Sequence, residues 1–178
     1  MIDLTKFQND GFDRGASRTK EFAWLTCRLF FFVLPIPLPS MIRAWLLRLF
    51  GARVGVGVVI RSGVSISFPW RLSIGDNVWI GEGVSILSLN QVTIESNCCV
   101  SQDAFLCTGS HDFSKSTFDL MTRPIVVREG SWVAARCFVA PGVTIGPGSM
   151  CAAGSIVLRD VPPLTTVLGN PAIPRQTA

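Results

Sequence analysis

The chain has 178 residues, 48% of them hydrophobic and 16% charged, which excludes a disordered chain and suits one domain with a small appendage. The formal net charge of +4 belongs to residues 1–53, with eight Lys/Arg against four Asp/Glu, while residues 54–178 carry eight of each. That balance excludes a basic nucleic-acid face on the main domain. Six cysteines without a CxxC pair, beside one histidine, exclude a zinc-finger set.

The start is polar and charged, so no cleavable secretory signal is expected and the thiols read as free in a reducing cytoplasm. Residues 1–20 read as loop. Residues 22–34 are almost all apolar, but the run is about thirteen residues long, contains Arg28 and ends at Pro35. A spanning helix needs roughly twenty apolar residues. Pro35, Pro37 and Pro39 impose an extended linker. Ser40 is placed to cap a helix over 41–50 that Gly51 ends, with Ile42, Trp45, Leu46 and Leu49 as its apolar stripe and Arg43 and Arg48 off it. Two compatible readings follow: a helical cap over the open end of a repeat domain, and an interfacial pair of helices that holds the protein against the inner membrane through residues 20–50.

From Val54 every sixth residue is aliphatic at fourteen of fifteen positions: Val54, Ile60, Ile66; then, after a slip of two, Ile74, Ile80, Ile86; after another, Ile94, Val100, Leu106; and after a long break Val127, Val133, Val139, Ile145, Cys151, Val157. A period of six is neither helical nor simple strand alternation. It predicts a parallel β-helix in which the aliphatic residue points inward at each short strand. Three hexapeptides close a triangular coil, giving five coils that start at 54, 74, 94, 127 and 145. The division is an N-terminal segment over 1–53, a β-helix over 54–163 and a tail over 164–178. The insertions 72–73, 92–93 and 112–126 fall at one point of the coil and project from one corner. His111, the one histidine, is the last residue of its coil, at the base of the longest insertion. Stacking about 4.8 Å apart would place it between Gln91 and Thr144. Rigid scaffold giving way to a projecting loop is a usual place for function.

The stretches "LLRLFGARVGVGVVI", "FPW", "SQDAFLCTGSHDF", "APGVTIGPGS" and "VPPLTTVLGNPA" resemble the left-handed β-helix acyltransferases of the hexapeptide-repeat superfamily, and within it the O-acetyltransferases of exopolysaccharide synthesis of the colanic-acid type. The resemblance implies the left hand of the helix, a homotrimer with active sites between neighbouring subunits, and acetyl-CoA as acyl donor with no metal. Imidazole titrates near pH 6.5 in general and suits proton abstraction from a sugar hydroxyl, so His111 is the expected general base. Asp112 is placed to orient it and, with Trp132, Gln91 and Gly83, is expected at the substrate-binding site. Trp132 matches a family position near the acceptor pocket. Ala135 and Ala153 match positions where small residues let pantetheine approach the backbone, and Arg159 matches a lysine near the coenzyme A phosphates. Gly83 stands where maltose- and galactoside-type enzymes place an asparagine, a departure that argues against carrying over their substrate class. Cys107 precedes His111 by four residues, roughly 13 Å along a strand, too far for a nucleophile pair.

The expected function is therefore acetyl transfer from acetyl-CoA to a sugar or glycan hydroxyl. A non-enzymatic trimeric scaffold or sugar-binding protein, and an N-acetyltransferase acting on an amino sugar, are the alternatives. A zinc hydratase on this fold needs three histidines on the metal, which one histidine per chain does not supply.

Overall fold

A computed structural model describes residues 1–9, 11–34 and 36–175. The chain winds as a parallel solenoid with three faces. Arg53–Val54, Leu72–Ile74, Val92–Ile94, Ile125–Val127 and Thr144–Ile145 stack on the first face. Val59–Ile60, Trp79–Ile80, Cys99–Val100, Trp132–Val133, Met150–Cys151 and Thr166–Leu168 form the second. Ser65–Ile66, Ser85–Leu87, Phe105–Cys107, Phe138–Val139 and Ile156–Val157 form the third. The sixfold aliphatic positions pair in register and point inward: Ile74 stacks on Ile94 and Ile94 on Val127, and all three are buried.

The expected starts of the five coils hold, and a further turn follows them. Val161 bridges Ile145, and Thr166–Leu168 pairs with Met150–Cys151 before Ile173–Pro174 folds back antiparallel. The fifth turn takes sixteen residues from Ile145 to Val161 (161 − 145), so an eighteen-residue count steps past its end. Residues 164–175 thus continue the solenoid rather than trail from it. The extra residues do share one corner, between the third and first faces, called here the loop corner. The long excursion, however, leaves after Cys107 and returns at Ile125.

Along the parallel strands alternate N–H groups donate to the next rung, as Gly55 N does to Ile74 O, Arg61 N to Ile80 O and Ser65 N to Val84 O, so the carbonyls between them point to the previous one. The first rung's carbonyls therefore face the open end without partners, a cost if buried. The N-terminal segment meets this need on every face. Its helices are α1 (Arg18–Arg28), continued by a π-helical turn over Leu29–Val33, and α2 (Ser40–Leu49). Trp24 Nε1 donates to Ile66 O at 3.0 Å, Arg43 Nη1 to Ile60 O at 3.3 Å, and Arg48 Nε to Val54 O at 2.9 Å.

Two expectations for this segment change. Ser40 makes no cap; its hydroxyl donates to Ile60 O and accepts from Ile60 N, both at 3.1 Å. The side of α2 facing the core carries Arg43, Ala44, Leu46 and Leu47, while Trp45 and Leu49 are exposed. Arg43 also donates to Phe31 O, Leu38 O and Ile36 O at 2.8–2.9 Å. Because a proline contributes no donor, a buried guanidinium is an efficient way to satisfy this linker's carbonyls.

Gly75 shows how tightly the rungs stack. A Cβ there would lie 2.6 Å from Ser96 N and 2.9 Å from Glu95 C, both backbone, so the corner accepts hydrogen alone.

Candidate active site

His111 is carried on a two-stranded arm at the loop corner. Gly109–His111 pairs antiparallel with Leu120–Thr122, in the register Gly109 to Thr122 and His111 to Leu120. The arm is rooted in the third face. Thr108 Oγ1 donates to Leu87 O at 2.6 Å and accepts from Asn90 N at 2.9 Å, and Arg123 N donates to Thr108 O at 2.9 Å. The expected neighbours of His111 are corrected accordingly. Gln91 O accepts from Ile125 N, and Thr144 pairs with Val126, because the chain has left the rung by Gly109.

The imidazole is half-buried between two aromatic rings. Phe118 stacks on it at 4.3 Å with an interplanar angle of 2°, and Phe7 meets it edge-on at 5.6 Å. His111 Nδ1 lies 2.8 Å from Phe118 O. A carbonyl oxygen only accepts, so Nδ1 donates, and in the neutral imidazole the lone pair then lies on Nε2. The N-terminal segment that supplies Phe7 is tied to the arm by Asp3 N donating to Ser116 O at 2.9 Å.

Asp112 does not orient the ring. Its carboxylate accepts from Ser114 N at 3.0 Å and Ser114 Oγ at 2.5 Å, bonds that hold it below the usual carboxylate range. Its work is to close the tip of the arm, together with Lys115 Nζ on Asp119 at 2.8 Å. The orienting group is a backbone carbonyl, which sequence spacing does not reveal. Phe118 sits at φ 51°, a left-handed conformation uncommon for a bulky residue. Strain of this kind persists where the surroundings impose it. Phe118→Gly is therefore expected to keep or raise the melting temperature while lowering the acetylation rate about tenfold. Paired thermal melts and initial rates check this, and a variant of unchanged rate would show the ring to be a bystander.

The other expected site residues fall elsewhere on the prism. Gln91 stands at the loop corner, but its Nε2 donates to Ser73 Oγ at 3.1 Å and Val92 O at 3.2 Å, so it faces the first face. Arg159 is exposed near the same corner in the fifth turn. Gly83, Ala135 and Ala153 occupy the corner between the second and third faces. There Gly83 has φ +69° and a Cβ would lie 2.3 Å from Asp103 Oδ1. Trp132 is on the second face, 45% exposed, with Nε1 donating to Ser101 Oγ at 2.8 Å. An outward side chain on the second face points away from the loop corner. One chain therefore does not bring Trp132 to His111.

A polar groove of about 290 Å³ lies between the arm and the N-terminal segment, lined by Gln8, Asn9, Phe12, Asp119, Leu120 and Thr122. Phe7, Phe118 and this groove are not legible in the sequence, because neither residues 1–20 nor the insertion 112–126 carries a periodic signal. The turn at Ala153 leaves open space, since a Cβ on the neighbouring Gly154 would meet nothing within 4 Å.

The thiols are structural. Burial pushes Cys151 up to about 12 and raises Cys27, Cys98 and Cys137. Cys107 donates to Gly109 O at 3.1 Å, not to the imidazole. Among the described residues no group of three or more His, Cys, Asp or Glu is placed to hold a metal ion.

The chain is 40% identical over 173 residues to WcaF of Escherichia coli K12, assigned as a colanic acid biosynthesis acetyltransferase, covering 97% of this chain and 95% of that one. The chain belongs to the hexapeptide-repeat acetyltransferases of the colanic-acid type. It is an acetyltransferase, and the scaffold reading falls. No family model matches the chain. A hexapeptide-repeat acetyltransferase of Vibrio cholerae O1 biovar eltor, solved with acetyl-coenzyme A, superposes with a TM-score of 0.80 at 26% identity, over 99% of this chain and 98% of that one. A galactoside acetyltransferase solved with coenzyme A shares the fold with a TM-score of 0.82 at 23% identity, over 99% and 91%.

Proposed function

We propose that the protein transfers acetyl from acetyl-CoA to a hydroxyl of a sugar in exopolysaccharide synthesis, with His111 as general base. The observation that carries this is the Nδ1 bond to Phe118 O, which leaves Nε2 of the neutral ring as the basic nitrogen on a projecting arm. The base takes the hydroxyl proton as the oxygen attacks the thioester carbonyl; coenzyme A thiolate leaves and is protonated in turn. The groove lined by Gln8, Asn9, Asp119 and Thr122 offers the amide, carboxylate and hydroxyl groups that bind a sugar's hydroxyls.

The dispersal of Trp132, Ala135 and Ala153 away from His111 supports a homotrimer, in which a neighbouring copy brings its second face to this chain's arm. Coenzyme A then lies between copies, with Arg159 available to its phosphates. The WcaF relative is assigned to colanic acid biosynthesis, which favours a glycan acceptor of that kind.

The test follows thiol release from acetyl-CoA with and without oligosaccharides of the host exopolysaccharide, and locates the acetyl group by mass spectrometry. Glycan-dependent release with an ester product is expected. Release that requires an amino sugar and yields an amide would replace this reading with N-acetylation.

A further inference from the structure

The helices that cap the solenoid are apolar on both sides. Trp24 and Cys27 of α1, with Ala44, Leu46 and Leu47 of α2, are buried against the first rung. On the opposite side, Phe22, Leu25 and Leu29 recur at spacings of three and four, and Met41, Trp45 and Leu49 at four. Phe22 is 73% exposed, Met41 75% and Trp45 58%. Each helix thus carries a second apolar stripe besides the buried one, where a surface helix of a globular domain ordinarily carries polar residues. The capping elements touch where the Trp24 ring lies 5.2 Å from that of Phe50, just past α2, and where Arg43 Nε donates to Phe31 O of the π-helical turn. Both helices also donate to the same rung. The exposed side chains Phe22, Met41 and Trp45 lie on the sides of the helices turned from the first rung, whereas Leu25 lines a cavity with Phe68, Trp70 and Leu89.

The charge of this end is mainly positive, and Glu21 of α1 is engaged by Arg14 at 2.7 Å. Between Glu21 and Asp76 the sequence has no acidic residue and six arginines. Arg18, Arg48 and Arg53 are exposed. Among the described residues none of these three pairs with a carboxylate. No helix among the described residues is long and apolar enough to cross a membrane. Short helices with an apolar outer stripe and flanking arginines have the chemistry of an element that lies in the plane of a bilayer surface.

We propose that this end docks flat on an anionic lipid bilayer. Phe22, Met41 and Trp45 enter the headgroup boundary, and Arg18 and Arg53 contact the anionic headgroups. The proposal is independent of the acetyl-transfer chemistry, so His111→Ala should bind vesicles as the parent does.

The experiment is co-sedimentation of the full-length protein with vesicles of phosphatidylethanolamine and phosphatidylglycerol at roughly 7:3, and with pure phosphatidylcholine vesicles. The parent should sediment with the anionic vesicles, less with the neutral ones, and less again at high salt. Phe22→Ser combined with Trp45→Ser should weaken binding about tenfold or more. Arg18→Glu combined with Arg53→Glu should abolish the preference for anionic lipid. Melting temperature and light-scattering mass verify that each variant keeps its fold and assembly. A parent that stays in the supernatant, or serine variants that bind equally, would overturn the proposal. So would a patch whose replacement changes the oligomeric mass and leaves vesicle binding untouched, since the stripe would then be covered by a second copy.

Discussion

His111→Ala is expected to lower the rate of glycan acetylation by about 10²–10⁴-fold. The loss should be large because no other group is placed to substitute. The chain has no second histidine. The carboxylates on the arm are engaged, Asp112 with Ser114 and Asp119 with Lys115, and both are held below the usual carboxylate range by those bonds. They are therefore weaker bases than an ordinary carboxylate. The imidazole, by contrast, is held ready to accept a proton. Phe118 O fixes its tautomer, and the rings of Phe118 and Phe7 fix its plane. Initial rates of thiol release at saturating acetyl-CoA measure the effect. An unchanged melting temperature shows that the arm survives the substitution. Equal rates for variant and parent would remove His111 from the mechanism.

Arg43→Met should cost about 3 kcal/mol of stability, the largest effect expected outside the active site. The guanidinium is 3% exposed and donates to carbonyls of Phe31, Ile36, Leu38 and Ile60. Burial lowers its pKa, yet the carbonyls offset the desolvation, since hydrogen bonds to a charged donor contribute about 1.5–3 kcal/mol each at most sites. Methionine fills much of the volume but leaves buried oxygens unpaired, and water entering at the linker recovers only part of the loss. At about 2–4 °C per kcal/mol for a domain of this size, the melting temperature should fall by about 6–12 °C. Thermal denaturation followed by circular dichroism measures it. A shift smaller than about 2 °C would mean that the first rung's carbonyls and the linker are hydrated in any case.

These two residues also mark how far the chain is legible before it folds. The hexapeptide columns fix three faces, inward aliphatic side chains and coil starts at Val54, Ile74, Ile94, Val127 and Ile145, all found in the stacked registers. They work because a solenoid repeats the same local environment, so position in the repeat dictates burial. Where the repeat shortens, as between Ile145 and Val161, counting fails. Arg43 reads in the sequence as a charge beside an apolar stripe, since charge ordinarily seeks water. Its burial depends on carbonyls from the linker and from Ile60, seventeen residues away.

Periodicity along the chain suffices for the β-helix, for the corner from which its insertions project, and for the histidine at the start of the longest one. Each is a consequence of a local repeat or of a break in it. What holds that histidine is settled by folding alone. Phe118 O, the Phe118 ring and Phe7 reach it through an antiparallel arm and a distant segment. Contacts of that kind depend on where two non-repeating segments meet in space, and no spacing along the chain encodes such a meeting.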